Sequence, residues 1–130
     1  MSNPKNGFTL VEIMVVVAII ALLAAIAIPN LIRARVNAHD SMAQTALKSI
    51  STAMETYAST ENRYPPDVSS LLGITPPYLS TDYFTGSHAG FTFNTDSLTT
   101  YTYAITAAPL SPNMGSASFT VSTGGVLVEN

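Results

Sequence analysis

Residues 8–28, FTLVEIMVVVAIIALLAAIAI, carry a single charged side chain, Glu12, in 21 positions. As a helix rising 1.5 Å per residue, such a segment covers about 31 Å, the thickness of a bilayer's hydrocarbon core. Water does not tolerate that much uncovered apolar surface, so the segment must enter lipid, be removed, or be covered by other chains. The carboxylate is the anomaly. At the centre of a membrane helix it costs about 2.5–3.5 kcal/mol on insertion scales, and less near the interface. Lys5 before the run and Arg33 and Arg35 after it give only a slight charge asymmetry, with the N-terminus on the cytoplasmic side.

Two ordinary readings compete for this segment. A secretory signal peptide also has a basic residue before an apolar run, and Ala25, Ile26 and Ala27 form an A-x-A cleavage pattern that would leave a mature start at Ile28. Against it, the run exceeds the usual signal core and contains an acid. A plain single-span anchor fits the length but leaves Glu12 without a purpose.

The stretch G-F-T-L-V-E, residues 7–12, followed by a long apolar run and Pro29, resembles the N-terminal signature of type IV pilins and their pseudopilin relatives in type II secretion. The resemblance covers about 25 residues in detail. It implies a leader of residues 1–7, cleaved between Gly7 and Phe8 by a prepilin peptidase, and methylation of the new N-terminal Phe8. It implies inner-membrane residence first, with the C-terminal domain periplasmic. Assembly into a helical filament of identical subunits at the cell surface, driven by dedicated machinery, would follow. Glu12 would be the family's glutamate. Physically, cleavage would create an amine on Phe8, and Glu12 lies four residues on, one helical turn away on the same face. An amine supplied by a correctly stepped neighbour would offset the cost of the carboxylate, making Phe8 and Glu12 the assembly residues.

Pro29 sits between the apolar run and a further helical pattern. An interior proline removes one hydrogen bond and kinks a helix; the resemblance implies a continuous helix bent there. Ala43, Ala46, Leu47, Ile50, Ala53, Met54 and Tyr57 then recur at helical spacing as a core stripe, with Asp40, Gln44, Lys48, Ser51 and Glu55 on other faces. Met42 and Met54 read as core filler. A helix from Phe8 to about Thr60 would be about 80 Å long. Pro65 and Pro66 end it. The Pro- and Gly-rich segment to Gly90 reads as an irregular connection with one short helical turn around Ser69 to Leu72.

Beyond Gly90 the period becomes two. Phe91 and Phe93, then Tyr101, Tyr103 and Ile105, then Phe119 and Val121 alternate with Ser and Thr, and 126–128 follow Gly124 and Gly125 as a last strand after a hairpin turn. The aromatic side chains read as core. The expected fold is therefore α+β: a long, partly transmembrane N-terminal helix on an antiparallel sheet of three or four strands. The expected divisions are 1–7 (leader), 8–28 (membrane and assembly half), 29–61 (amphipathic half), 62–90 (connection) and 91–130 (sheet).

Charge and composition narrow the function classes. All five Lys and Arg precede residue 64, whereas 20 of the 67 residues from Tyr64 onward are Ser or Thr. That half offers no cation for a phosphate backbone, so nucleic-acid binding is not expected. Cysteine is absent, which removes disulfides and thiolate chemistry. His39 and His88 have neither metal-ligand spacing nor a catalytic motif and read as ordinary polar positions. The resemblance raises calcium, since major pseudopilins hold it in C-terminal loops. Asp82 and Asp96 are the available carboxylates, but they match no calcium-loop pattern. No enzyme activity, cofactor or metal is expected. A pilin, a secretion pseudopilin, or a secreted binding domain behind a signal peptide remain the function classes.

Overall fold

The computed structural model describes residues 7–130. Helix α1 spans Leu10–Glu61, a short 3-10 helix Val68–Leu71, and strands β1 (Phe91–Leu98), β2 (Tyr103–Pro109), β3 (Phe119–Ser122) and β4 (Val126–Glu129) complete the order. This is the expected α+β arrangement, with all four strands in one antiparallel sheet ordered β1-β2-β3-β4. By internal contacts the described residues form two compact units, one ending at Ala34 and the other Arg35–Asn130. The expected leader lies outside the described residues except for Gly7, and Lys5 lies outside them too.

In the first unit the helical backbone runs through Pro29, whose missing N–H leaves the carbonyl of Ala25 without its usual helical donor. The large apolar side chains between Leu10 and Ile32 are exposed. This segment is long and apolar enough to cross a membrane.

In the second unit the helical stripe behaves as its spacing requires. Ala43, Ala46, Leu47, Ile50, Ala53, Met54 and Tyr57 are all buried and share one core with Phe91, Phe93, Tyr103, Ile105, Ala107, Phe119 and Val121 from the sheet. Alternation puts those strand residues on the same sheet face. Gly115 belongs to this packing, because a Cβ there would sit 2.3 Å from the Phe91 ring. At the β3–β4 connection Gly124 and Gly125 adopt φ of 79° and 75°, a left-handed backbone that suits glycine. The connection spans three residues, since Ser122 pairs with Val126.

The opposite side of α1 has a different texture. Ser41, Thr45, Ser49, Thr52, Thr56, Ser59 and Thr60 are exposed, and each hydroxyl donates to the carbonyl four residues earlier. Short polar side chains thus cover this face with their donors already satisfied by their own helix.

Four local expectations need correction. Met42 is exposed rather than core filler, because it sits on the flank of the stripe. There, with Ser41, Thr45, Tyr83, His88 and Phe93, it lines an open cavity of about 400 Å³. Tyr101 is 78% exposed, because it lies in the turn before β2 begins rather than in the strand's alternation. Helix α1 begins at Leu10 rather than at Phe8, because Thr9 caps it by accepting from the Glu12 amide. The short helical turn begins one residue early, at Val68, because Asp67 caps it by accepting from the Ser70 amide.

Leu47 has no exposed surface, so Leu47→Ala should destabilise the protein by about 2–5 kcal/mol. Met42→Ala should stay within about 0.5 kcal/mol. Urea unfolding of the detergent-solubilised chain, followed by circular dichroism, checks both.

Candidate assembly and processing site

Leu10 opens α1, which makes Thr9 its N-cap and Glu12 the third residue of the first turn. The unpaired amides of a helix start need acceptors, and this sequence provides two of them reciprocally. Thr9 Oγ1 accepts from the Glu12 amide at 3.3 Å, and Glu12 Oε2 accepts from the Thr9 amide at 2.7 Å and from the Thr9 hydroxyl at 2.8 Å. Thr9-Leu10-Val11-Glu12 is therefore a capping box. Sequence reasoning missed it, although T-x-x-E ahead of an apolar run is its signature.

The other expected residues cluster around this cap. Gly7 and Phe8 precede the helix in non-helical conformation and are exposed, Phe8 at 85%. The peptide bond between them thus lies outside the helical hydrogen-bond ladder. Phe8, Val11, Glu12, Val15 and Val16 line one shallow groove. Phe8 and Glu12 therefore line the same groove, although Phe8 lies before the helix that the four-residue spacing presumed. Oε1 of Glu12 has no hydrogen-bond partner among the described residues.

Two further carboxylates on α1 organise the second unit, and the sequence pattern assigned both to faces away from the core. Asp40 is buried, and accepts from the Ser116 amide at 3.0 Å and the Ser116 hydroxyl at 2.6 Å. Glu55 Oε1 accepts from the hydroxyls of Tyr64 at 3.0 Å and Tyr103 at 3.2 Å and from the Gly124 amide at 2.9 Å. Ser51, also buried, shares a hydrogen bond of 2.9 Å with the Tyr103 hydroxyl. The rings of Tyr64 and Tyr103 meet edge to face with centroids 5.0 Å apart. Buried polar groups of this kind disrupt the apolar period, so periodicity alone cannot place them.

The remaining candidates have separate surroundings. Asp82 accepts from the Thr85 hydroxyl and from the Phe84 and Thr85 amides, which hold its carboxyl below the usual range. Asp96, placed by a register shift between Thr95 and Ser97, takes the Thr106 hydroxyl; Thr106 in turn meets Thr120 at 2.7 Å. Among the described residues no group of three or more His, Cys, Asp or Glu side chains could hold a metal. His88 stacks edgewise on Tyr83, and Nδ1 of His39 is buried without a hydrogen-bond partner.

Burial, and then the bond and charge of Glu55, push the Tyr64 hydroxyl from 10.0 up to about 12; burial also raises Tyr103. The folded state keeps the Tyr64 proton where the unfolded chain has released it. Its stabilising contribution is thus complete below pH 10.0 and disappears as pH rises toward about 12. Alkaline unfolding should show a steep loss of stability across that window, and Tyr64→Phe should flatten it.

Residues 2–28 match the family described as the prokaryotic N-terminal methylation motif. Over 75 residues the chain is 48% identical to the type IV major pilin protein PilA of Myxococcus xanthus, covering 57% of this chain and 34% of that protein. It is 40% identical over 74 residues to the type IV wide pilus major component PilA4 of Thermus thermophilus, covering 57% and 56% respectively. It is 39% identical over 61 residues to the type II secretion system core protein G of Pectobacterium carotovorum, covering 47% and 39%. The chain thus spans between about a third and just over half of the length of these relatives. The resemblance read from residues 7–12 is borne out: the chain carries the methylation motif, and its relatives are type IV pilins and type II secretion core proteins.

Proposed function

We propose that this chain is a structural subunit, the major pilin, of a type IV pilus. The observation that carries the reading is the coincidence of the methylation motif over residues 2–28 with 48% identity to a major pilin. In this reading a prepilin peptidase cuts between Gly7 and Phe8 and Phe8 is methylated. Residues 8–28 hold the subunit in the inner membrane, with the C-terminal unit periplasmic, until the assembly machinery moves it into a surface fibre. Lipid is as apolar as the helix, so the transfer brings little hydrophobic gain, and packing and charge must supply specificity.

Glu12 supplies the charge. While the subunit waits in the membrane, Oε2 is occupied by Thr9, which lowers the cost of keeping a carboxylate there. Oε1 remains for the Phe8 amine of a neighbour. A cation about 4 Å away is worth about 4 kcal/mol at an effective dielectric of 20 and about 1 kcal/mol in water. The pairing therefore discriminates only when the helices are packed and dry, which makes it a register key for subunit addition. Pro29 provides the point where the helix bends and its backbone loosens during this transfer. No catalytic role is assigned; the peptidase is the enzyme.

The core protein G relatives favour a second reading, a pseudopilin forming a short periplasmic fibre of a type II secretion system. Deleting the gene separates them: loss of long surface fibres supports the pilus, and loss of protein secretion without loss of such fibres supports the pseudopilus.

Mass spectrometry of the mature chain should find a start at methylated Phe8; a start at Ile28 would instead reveal a secreted binding domain behind a signal peptide. Glu12→Ala should leave membrane insertion intact while abolishing fibre growth, read by fractionation and electron microscopy. Normal fibres from that variant defeat the register role.

A further inference from the structure

Charge is divided within this chain in a way that its own fold leaves uncompensated. Four cations lie between residues 33 and 63: Arg33, Arg35, Lys48 and Arg63. All four are exposed, and among the described residues none is held by a carboxylate. Of the acids that share α1 with Lys48 in the second unit, Asp40 is engaged by Ser116 and Glu55 by Tyr64, Tyr103 and Gly124, while the exposed Glu61 stands thirteen residues along the helix, about 20 Å of rise away. Residues 64–130 show the reverse imbalance: Asp67, Asp82, Asp96 and Glu129, with no Lys or Arg. These carboxylates are exposed as well. Asp67 and Asp82 are fixed in direction by the hydroxyls and amides of Ser69, Ser70, Phe84 and Thr85, so they present ordered rather than wandering charges.

We infer that Lys48, with Arg35 on the same helix, docks carboxylates from residues 64–130 of a second copy of this chain. The donor and acceptor patches are different surfaces, so the contact is heterologous and repeats without closing. A single chain supplies both halves of the complementarity, and this selects a second copy over an unrelated acidic partner. Lys48 stands among Thr45, Ser49 and Thr52, short side chains whose hydroxyls are turned to their own backbone, so an approaching carboxylate reaches the ammonium without competing donors. Each exposed pair is weak and screened by salt. Its effect therefore accumulates along a fibre and is read as salt sensitivity. The inference rests on the polymerisation proposed above.

Within residues 8–130 Lys48 is the only lysine, so zero-length carbodiimide cross-linking has one ε-amine to report. Fibres grown from mixed ordinary and heavy-isotope-labelled chains should give Lys48 joined to Asp67, Asp82, Asp96 or Glu129 in mixed-label peptides that are absent from detergent-dispersed subunits. Lys48→Glu should lower fibre yield several-fold at low salt with its thermal unfolding unchanged, and Lys48→Arg should retain the yield. The Phe8 amine joined to Glu12 of another copy reports on polymerisation itself. Fibres that contain this product but no intermolecular Lys48 product, or that form normally with Lys48→Glu, overturn the docking alone. A chain that never forms fibres overturns both.

Discussion

The second unit depends on a length match between a helix and a strand. Asp40 and Glu55 are fifteen residues apart on α1, about 22 Å of helical rise. The seven residues of β2 extend about 23 Å. Asp40 receives the β2–β3 loop through Ser116, and Glu55 receives the start of β2 and the β3–β4 turn through Tyr103 and Gly124. Between these two polar fastenings lies the apolar stripe from Ala43 to Tyr57. The stripe supplies most of the favourable free energy, but burial is not directional and tolerates sliding. The carboxylates fix where along the helix the sheet must lie. Each does so with neutral hydroxyl and amide donors, which avoids the desolvation of a second charge.

The first unit solves the opposite problem with the same chemistry. A carboxylate near the start of an apolar helix would be a liability without a partner, and Thr9 provides one locally. That local bond serves the isolated chain, since it satisfies helix-start amides and the acid together. It does not exhaust the acid, because a carboxylate has two oxygens and about four lone-pair sites. One residue can therefore cap its own helix and still be available to a neighbour's cation.

Much of this was legible in the sequence because period and punctuation are local signals. The spacing of Ala43, Leu47, Ile50 and Tyr57, the alternation through β1 to β3, and Gly124–Gly125 each specify a conformation from a few neighbouring residues. What was not legible depends on partners distant in sequence. Asp40 and Ser51 sit beside the stripe as polar letters, and only Ser116 and Tyr103, 76 and 52 residues away, explain why they are inside. Met42 fails for the complementary reason: its letter is apolar, but the connection stands off from the helix beside it. Tyr101 shows that alternation names a face only where the strand actually begins. In the first unit the cap formed by Thr9 was legible in T-x-x-E but unread.

The hydroxyl-lined side of α1, from Ser41 to Thr60, has a mechanical consequence. A helix surface built from leucines offers knobs that seat in one set of holes, and thereby selects an axial position. Serine and threonine with their hydroxyls folded back offer shallow relief and no unsatisfied donors. Anything laid against this side can come close and lose water at little cost, yet can also glide along it. Such a surface separates adhesion from alignment: contact area alone holds a neighbour near, while isolated charges set the stops.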